Sequence, residues 1–189
     1  MRIVGGRHRG RKLIAPEGAA VRPTSDRARQ ALFNILAHGR FTTGGASPLV
    51  EASVADLFCG TGALGLEAIS QGAGRAILID SDTGALKAAR ANVQALGERE
   101  RVMIRQADAA TPGLPPWPCT LVFLDPPYRS GLAAPAVIAL AREGWLAPAA
   151  IVVVELDARE DLAPPPGFTL ADLRRYGRAK IVFLRFAGA

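Results

Sequence analysis

The stretch LVFLDPPY, residues 121–128, ends an apolar run with an acid, two prolines and an aromatic ring. Neither a helix nor a central strand continues through Pro126 and Pro127, because proline lacks a backbone N–H and fixes its own φ angle. The pattern predicts a carboxylate and a ring that a rigid backbone holds at the end of a buried strand. The alternative is a cis-proline turn in which Asp125 caps the backbone and Tyr128 packs.

These residue types suit the activation of an exocyclic amine on a nucleic-acid base. The Asp125 carboxylate can accept one N–H of the amine and the Pro126 carbonyl the other, which favours a pyramidal nitrogen with an available lone pair. Positive charge develops on the nitrogen as it attacks, so the carboxylate stabilises the transition state more than the ground state. Tyr128 offers a face on which an extruded base can stack.

A glycine loop lies earlier in the chain, in the stretch ASVADLFCGTGALGLEA at residues 52–68. Gly60, Gly62 and Gly65 follow a predicted strand and open a predicted helix, the context in which such a loop binds a nucleotide-like ligand. Asp80, at the end of the next predicted strand, lies where a carboxylate can reach ribose hydroxyls. The alternative is a tight strand-to-helix turn that binds no ligand.

Asp56 distinguishes between two ligands of such loops. A dinucleotide such as NAD would place two phosphates near the helix N-terminus, where a nearby carboxylate opposes them. S-adenosyl-L-methionine (SAM) has no phosphate, and an acid complements its ammonium and sulfonium groups. Asp108, after the third predicted strand, can accept a hydrogen bond from an adenine amino group or serve only as a loop acid. We therefore expect a SAM pocket, in which we include Phe58.

Strands that alternate with helices must position these groups. From residue 53 onward, apolar runs of strand length alternate with helical patterns, which predicts a parallel, doubly wound α/β sheet. Acids that follow parallel strands meet at one edge of such a sheet. The predicted strands cover residues 54–58, 76–79, 102–105, 120–124 and 151–155, and the predicted helices cover 64–70, 82–96 and 132–142. Residues 168–176 and 180–186 predict a closing antiparallel pair.

The first 48 residues predict a basic extension. Residues 2–4 and 12–14 are candidate hairpin strands, and a helix from about residue 24 to residue 37 is expected to carry Arg27, Arg29 and Gln30 on its polar face. The net charge of +6 lies entirely in the first 29 residues, since the other 160 have fifteen basic and fifteen acidic residues. Such an arm is typical of phosphate-backbone binding, although a solvated tail is the alternative. The candidate RNA-binding residues are Arg2, Arg7, Arg9, Arg11, Lys12, Arg22 and Arg27.

The composition excludes several classes of protein. With 49% hydrophobic and 21% charged residues the chain is globular rather than disordered. No run of about 18 apolar residues predicts a membrane span, and the N-terminus lacks the apolar stretch of a secretory signal, so we expect a cytoplasmic protein. Two cysteines, Cys59 and Cys119, and two histidines give neither a disulfide framework nor a metal centre.

Four stretches together resemble one family. GGRHRGRKL, RPTSDRARQALFNIL, DLFCGTGALGLEAISQGA and FLDPPY, in that order, resemble the RsmD family of bacterial 16S ribosomal RNA guanine-N2 methyltransferases. The resemblance runs from Arg2 to about Arg185; its first two stretches are specific to the family, whereas the others are shared with many amino-methylating enzymes. It implies a Rossmann-like class I methyltransferase with a seven-stranded, mostly parallel sheet, an antiparallel C-terminal edge, and a small N-terminal hairpin and helix.

The resemblance also implies roles for particular residues. Residues 49–189 would form the SAM-dependent methyltransferase domain and residues 1–48 the RNA-binding extension. The implied positions are Asp56, Gly60, Gly62 and Gly65 at the methionine end of SAM, Asp80 at the ribose, Asp108 at the adenine, and Asp125, Pro126 and Tyr128 at the acceptor base. Arg22, Thr24, Asp26 and Arg27 would line the cleft or meet RNA. Two residues depart from the family pattern: Cys59 replaces a common alanine, and Asp80 a common glutamate.

The implied substrate is a guanine of 16S rRNA, with guanine 966 as the family's usual target, in an assembled or assembling 30S subunit, and the protein is expected to be a monomer. Three other functions fit parts of the pattern. An adenine-N6 methyltransferase of DNA or RNA would use DPPY in the same way. A protein-glutamine methyltransferase usually has Asn in place of Asp125. A non-catalytic RNA-binding assembly factor would retain only the fold.

Overall fold

A single mixed sheet organises the molecule. The computed structural model describes residues 1–15, 26–39, 41–42 and 46–188. Its seven strands are β1 (Ser53–Leu57), β2 (Arg75–Asp80), β3 (Val102–Gln106), β4 (Cys119–Leu124), β5 (Leu146–Asp157), β6 (Phe168–Tyr176) and β7 (Ala179–Phe186). Their order is β3-β2-β1-β4-β5-β7-β6, and only β7 runs antiparallel to its neighbours β5 and β6. The predicted class I methyltransferase architecture is confirmed.

In the described ranges, four α-helices connect and cover the sheet: α1 (Asp26–His38), α2 (Ala63–Ser70), α3 (Thr83–Leu96) and α4 (Ala133–Arg142). Local signals set the ends of α3. The Asp82 carboxylate caps its start by accepting from the Ala85 N–H at 2.6 Å, and Gly97 ends it in the left-handed conformation at φ 75°. The predicted helix at residues 82–96 therefore begins one residue later than expected.

Successive side chains along each strand lie on opposite faces of the sheet, so the core has one part on each face. Leu121 and Phe123 of β4 pack on the face that α1, α2 and α3 cover, whereas Val122 and Leu124 pack on the face of α4. Such continuous burial is expected of parallel strands with helices on both sides. The ring centroids of Phe33, on α1, and Phe123 lie 5.6 Å apart, so α1 belongs to the same core as the sheet.

The strand β5 is longer than predicted. It begins at Leu146, five residues before the apolar run that starts at Ile151, and passes through Pro148 and Ala149. Ala149 has φ 61°, and the pairing of β4 with β5 shifts register between Cys119 and Leu121. An irregular stretch of this kind carries no alternating apolar pattern, so the sequence gives no signal for it.

The predicted N-terminal hairpin is present in a short form. Arg2 and Lys12 form an antiparallel bridge, and the Ile3 N–H donates to the Arg11 carbonyl at 2.9 Å. A 3₁₀ turn, Gly6–His8, occupies the connection. Ile3 is completely buried and joins the core cluster of the sheet, so the hairpin packs on the α/β domain.

Glu67 of α2 is the main anchor of this hairpin. The buried Glu67 carboxylate accepts from the backbone N–H groups of Val4 and Gly5, both at 2.8 Å. The Arg29 guanidinium lies 3.5 Å from it and also donates to the Arg2 carbonyl and to the Asp26 carboxylate. The expectation that Arg29 lies on the polar face of α1 is wrong, because burial of Glu67 requires a positive partner beside it.

Asn92 of α3 clamps the other end of the hairpin. Its amide oxygen accepts from the Ile14 N–H at 2.7 Å, and its amide nitrogen donates to the carbonyls of Ile14 and Thr61, both at 3.0 Å. Thr61 belongs to the glycine loop, so the hairpin ends beside the predicted cofactor site. None of the helices within the described ranges is long and apolar enough to cross a membrane.

Candidate cofactor and acceptor site

The predicted site residues come together at one edge of the sheet. The strands β2, β1, β4 and β5 are parallel neighbours, so their carboxyl ends lie side by side. Asp80 ends β2, the glycine loop follows β1, Asp125 follows β4, and Glu155 lies near the end of β5. One half of this edge carries the predicted cofactor residues and the other half the predicted acceptor residues.

Asp56, on β1, is the most unusual group of the cofactor half. It is 1% exposed, and one carboxylate oxygen accepts from the Gly65 N–H at 2.8 Å. Its second oxygen is buried and has no hydrogen-bond partner among the described residues. Burial raises the pKa of Asp56 to about 7, opposed by the Gly65 N–H and assisted by the negative charge of Asp80. A buried carboxylate with an unsatisfied oxygen fits the cationic amino-acid end of SAM.

The three glycines of the loop serve different purposes. A Cβ on Gly62 or Gly65 would lie 2.7 or 2.4 Å from a methyl carbon of Leu78, so packing against β2 excludes a side chain at both positions. Gly60 has φ 55° and open space where a Cβ would stand. A glycine at this position allows the left-handed turn and leaves the backbone accessible to a ligand. Contact of these glycines with SAM stays a prediction.

Asp80 holds the glycine loop as well as facing the site. Its two carboxylate oxygens accept from the Gly60 N–H at 2.9 Å and from the Asp82 N–H at 3.0 Å. Each carboxylate oxygen can accept a second hydrogen bond, so the geometry leaves room for a ribose hydroxyl. The predicted role of Asp80 at the ribose is therefore compatible with its structural role.

Two further members of the predicted cofactor set have distinct local geometry. Asp108 is exposed beyond β3, where its carboxylate accepts from the Ala110 N–H at 2.7 Å, so it is at least a loop acid. Phe58, directly after β1, has φ 59°. A bulky residue in the left-handed region is strained, and such strain is concentrated at functional sites. The pocket role of both residues stays a prediction.

The neighbouring thiol is not a reactive group. Cys59 lies buried in the loop, where burial raises the pKa of its thiol well above the ordinary value. Cys119 is also buried and free. Both cysteines therefore behave as small apolar residues.

The acceptor half is built on the end of β4. The Asp125 N–H lies 3.5 Å from the Leu57 carbonyl, which continues the pairing of β4 with β1. Pro126 is buried and Tyr128 half-buried. No peptide bond is cis in the ranges that the structure describes, so the alternative of a cis-proline turn at Pro126 and Pro127 is wrong.

Glu155 completes the acceptor half, and sequence reasoning missed it. The Tyr128 hydroxyl donates to its carboxylate at 3.0 Å, which fixes the edge of the tyrosine ring. In the parallel pairing of β4 with β5, Leu124 is the partner of Val154, so Asp125 and Glu155 each follow the last pair by one residue. The signal was present: the run IVVVE ends on an acid as LVFLD does.

The predicted RNA-binding residues divide into two groups. Arg2 pairs with Asp26 at 3.6 Å, Arg7 pairs with Glu98 at 2.7 Å, and Arg11 donates to the Ala95 carbonyl at 2.8 Å. These three residues also attach the hairpin to the domain. The other group consists of Arg9, Lys12 and Arg27, which are exposed and whose side chains make neither a hydrogen bond nor an ion pair within the described residues. The predictions for Arg22 and Thr24 lie outside the described residues.

Comparisons with known proteins agree with this geometry. The model of a family described as conserved hypothetical protein 95 matches residues 1–185. The ribosomal RNA small subunit methyltransferase D of Escherichia coli is 36% identical over 166 residues, which are 88% of this chain and 79% of that protein. The solved structure of yhhF from Escherichia coli has a TM-score of 0.82 at 33% identity and covers 100% of this chain and 99% of its own.

A more distant solved structure has the same fold. An RNA methyltransferase from Salinibacter ruber, in complex with S-adenosyl-L-homocysteine, has a TM-score of 0.63 at 17% identity. It covers 88% of this chain and 95% of its own.

Proposed function

Because the chain belongs to the family described as conserved hypothetical protein 95, the RsmD family, we propose that it methylates the exocyclic N2 amine of one guanine in 16S rRNA. Use of SAM and methylation of ribosomal RNA follow from this membership and from relatives named ribosomal RNA small subunit methyltransferase D. The base, the atom and the position, guanine 966 as the family's usual target, form the finer part of the proposal.

The cofactor half of the site fits the donor of the methyl group. When bound, SAM supplies a methyl group on a cationic sulfonium. The unsatisfied oxygen of Asp56 would accept from its ammonium, Asp80 would hold its ribose, and Asp108 its adenine. Asp56 provides negative charge for a cationic ligand at a buried position, where charge pairing is strongest.

The acceptor half fits an amine that must be made nucleophilic. Asp125 and the Pro126 carbonyl would accept the two N–H groups of the amine and aim its lone pair at the methyl group. As the new N–C bond forms and the S–C bond breaks, the nitrogen becomes cationic and loses a proton to Asp125 or to water. Tyr128, held by Glu155 at 3.0 Å, would stack on the extruded base.

The pair of acids Asp125 and Glu155 favours guanine over adenine, and this is the observation that carries the proposal. Guanine presents two neighbouring donors, N1–H and the N2 amine, whereas adenine presents an acceptor, N1, beside its N6 amine. Carboxylates only accept hydrogen bonds. A second carboxylate one strand away from Asp125, at the matching register position, therefore complements the edge of guanine and repels that of adenine.

We propose further that the protein acts as a monomer on 16S rRNA within the assembled or assembling 30S subunit, in the cytoplasm. The hairpin supports the RNA-binding part of this proposal, because it presents exposed arginine and lysine side chains from an anchored base. RNA of this kind is recognised by its shape and by bases that leave the helix.

Nucleoside analysis of 16S rRNA from cells with and without the protein tests the proposal. We expect loss of one N2-methylguanosine when the gene is deleted, and its return with the wild-type gene but not with an Asp125→Ala gene. Loss of N6-methyladenosine instead would favour the adenine-specific alternative. An unchanged modification pattern with defective subunit assembly would favour the non-catalytic assembly factor.

A further inference from the structure

A second cluster of basic side chains lies beside the acceptor half of the site. Three arginines reach it from separate segments: Arg129 follows Tyr128 in the loop after β4, Arg159 follows β5, and Arg178 lies in the turn between β6 and β7. All three are exposed, and the side chain of Arg129 is 58% exposed. We refer to these three residues as the C-terminal arginine cluster.

Asp157, the last residue of β5, brings the cluster together. One of its carboxylate oxygens lies 3.9 Å from the Arg129 guanidinium and accepts from the Arg159 N–H at 3.0 Å. The Ala158 N–H donates to the Arg178 carbonyl at 2.9 Å. The Arg159 N–H, and after it the charges of all three arginines, hold the pKa of Asp157 below its ordinary value. Asp157 and the residue after it therefore contact the side chain of Arg129 and the backbone of Arg159 and Arg178.

The other acids of this region are engaged with groups of the protein itself. The Glu160 carboxylate accepts from the Asp157 N–H at 2.9 Å, and Asp161 pairs with the ammonium of the buried Lys180 at 2.9 Å. Within the described residues, the side chains of Arg159 and Arg178 make no hydrogen bond and no ion pair. Four basic groups against three acidic ones leave this surface a local excess of one positive charge: Arg129, Arg159, Arg178 and Lys180 against Asp157, Glu160 and Asp161.

In the order of the strands, the cluster and the N-terminal hairpin lie on opposite sides of the acceptor residues. The hairpin is bonded to α2 and α3, which connect β1, β2 and β3, whereas the cluster lies at the ends of β5, β6 and β7. The acceptor residues follow β4, between these two groups of strands. Arg129 is also the next residue after Tyr128.

We propose that the C-terminal arginine cluster is a second RNA-binding surface, which contacts phosphates next to the extruded base while the hairpin contacts the RNA on the other side. The guanidinium fork matches phosphate oxygens. The backbone bonds at Asp157 and Ala158 hold the segments of Arg159 and Arg178 next to each other, and their side chains stay exposed. The inference rests on the proposed function, since it takes RNA as the substrate.

Binding to small ribosomal subunits from cells that lack the protein tests the cluster. The double variant Arg159→Ala/Arg178→Ala is expected to bind roughly tenfold more weakly near 0.1 M salt, and its slope of log affinity against log salt is expected to fall by about one to two. Methyl transfer should show a raised KM with kcat nearly unchanged. Affinity for S-adenosyl-L-homocysteine, measured by calorimetry, should equal that of the wild type.

Two further variants make the result specific. Arg159→Lys/Arg178→Lys retains the charges and is expected to keep most of the salt slope. Arg142→Ala/Arg185→Ala removes the same charge from the opposite end of the sheet, next to the starts of β5 and β6, and is expected to bind as the wild type does.

Wild-type affinity and slope in the Arg159→Ala/Arg178→Ala protein would overturn the inference. Weaker binding to subunits with an unchanged salt slope and unchanged binding to free 16S rRNA would also overturn it, because the cluster would then contact a ribosomal protein. A wild-type protein that binds the subunits but transfers no methyl group would refute the proposed function and leave the binding comparison valid.

Discussion

The buried carboxylate of Asp56 predicts that SAM affinity depends on pH. The pKa of Asp56 is raised to about 7 because burial disfavours its charged form. The cationic amino-acid end of SAM favours the ionised form, so binding must ionise this group whenever the pH lies below its pKa. SAM affinity is therefore expected to rise with pH through the neutral range.

The magnitude follows from the ionised fraction. With a pKa of about 7, roughly a tenth of Asp56 is ionised at about pH 6 and three quarters at about pH 7.5, which predicts roughly eightfold tighter binding at the higher pH. Affinity should fall again above about pH 8, where the α-amino group of SAM loses its proton.

The stability of the ligand-free protein is expected to decrease as the pH rises through the same range. Asp56 ionises from about pH 4 in the unfolded chain and only near pH 7 in the folded protein. Its ionisation therefore lowers the free energy of unfolding between these pH values, by on the order of 4 kcal/mol in total.

Isothermal calorimetry in two buffers of different ionisation enthalpy measures both the affinity for SAM and the number of protons released on binding. At about pH 6.5 we expect release of roughly three quarters of a proton for each SAM bound. Asp56→Asn keeps an oxygen that can accept from the Gly65 N–H, so it is the matched variant, and its affinity should be weak and flat between pH 6 and 7.5. Methylthioadenosine, which lacks the amino-acid part, should bind the wild type with little pH dependence. Equal pH dependence in the wild type and in Asp56→Asn would refute the reasoning.

Four substitutions test other parts of the molecule. Asp125→Ala is expected to lower kcat by roughly 10²-fold or more with SAM affinity nearly unchanged; a parallel loss of SAM binding in calorimetry would indicate a structural role. Glu155→Gln should reduce guanine methylation in single-turnover assays, because an amide can turn a donor towards guanine N1–H; unaltered rates would remove Glu155 from base recognition. Glu67→Ala should cost about 3–5 kcal/mol of unfolding free energy in urea titrations, because it removes the buried partner of the Arg29 guanidinium and the acceptor of two backbone N–H groups; a loss below about 1 kcal/mol would contradict its anchoring role. Arg9→Ala should reduce the salt slope of RNA binding by about one without altering stability, and an unchanged slope would make Arg9 part of a solvated surface.

Most of the fold could be predicted because the strands are short, apolar and separated by helical patterns. The strand at 168–176 was predicted with the observed bounds, and the bounds of β1, β2, β3 and β4 with an error of one residue. The early part of β5 could not be predicted, since Pro148 and Ala149 lie in an irregular stretch whose pairing depends on the neighbouring strand.

The acids of the cofactor half could be predicted because each lies at the end of a strand. Buried polar groups whose partners are distant in the sequence could not be predicted. Arg29 was expected on a polar face, because its partner Glu67 lies 38 residues away and no local pattern connects the two. Glu155 becomes an acceptor-site residue only through its register with Asp125 and its bond to Tyr128. The C-terminal arginine cluster likewise combines three segments that have no common charge pattern in the sequence.

Methyl transfer in a purified system tests the central proposal most directly. The protein is incubated with methyl-labelled SAM and small ribosomal subunits from cells that lack it, and the RNA is digested to nucleosides. We predict label in N2-methylguanosine at a single guanine of 16S rRNA, and none with the Asp125→Ala protein. Label in N6-methyladenosine, or transfer by the Asp125→Ala protein at the wild-type rate, would contradict the proposed function.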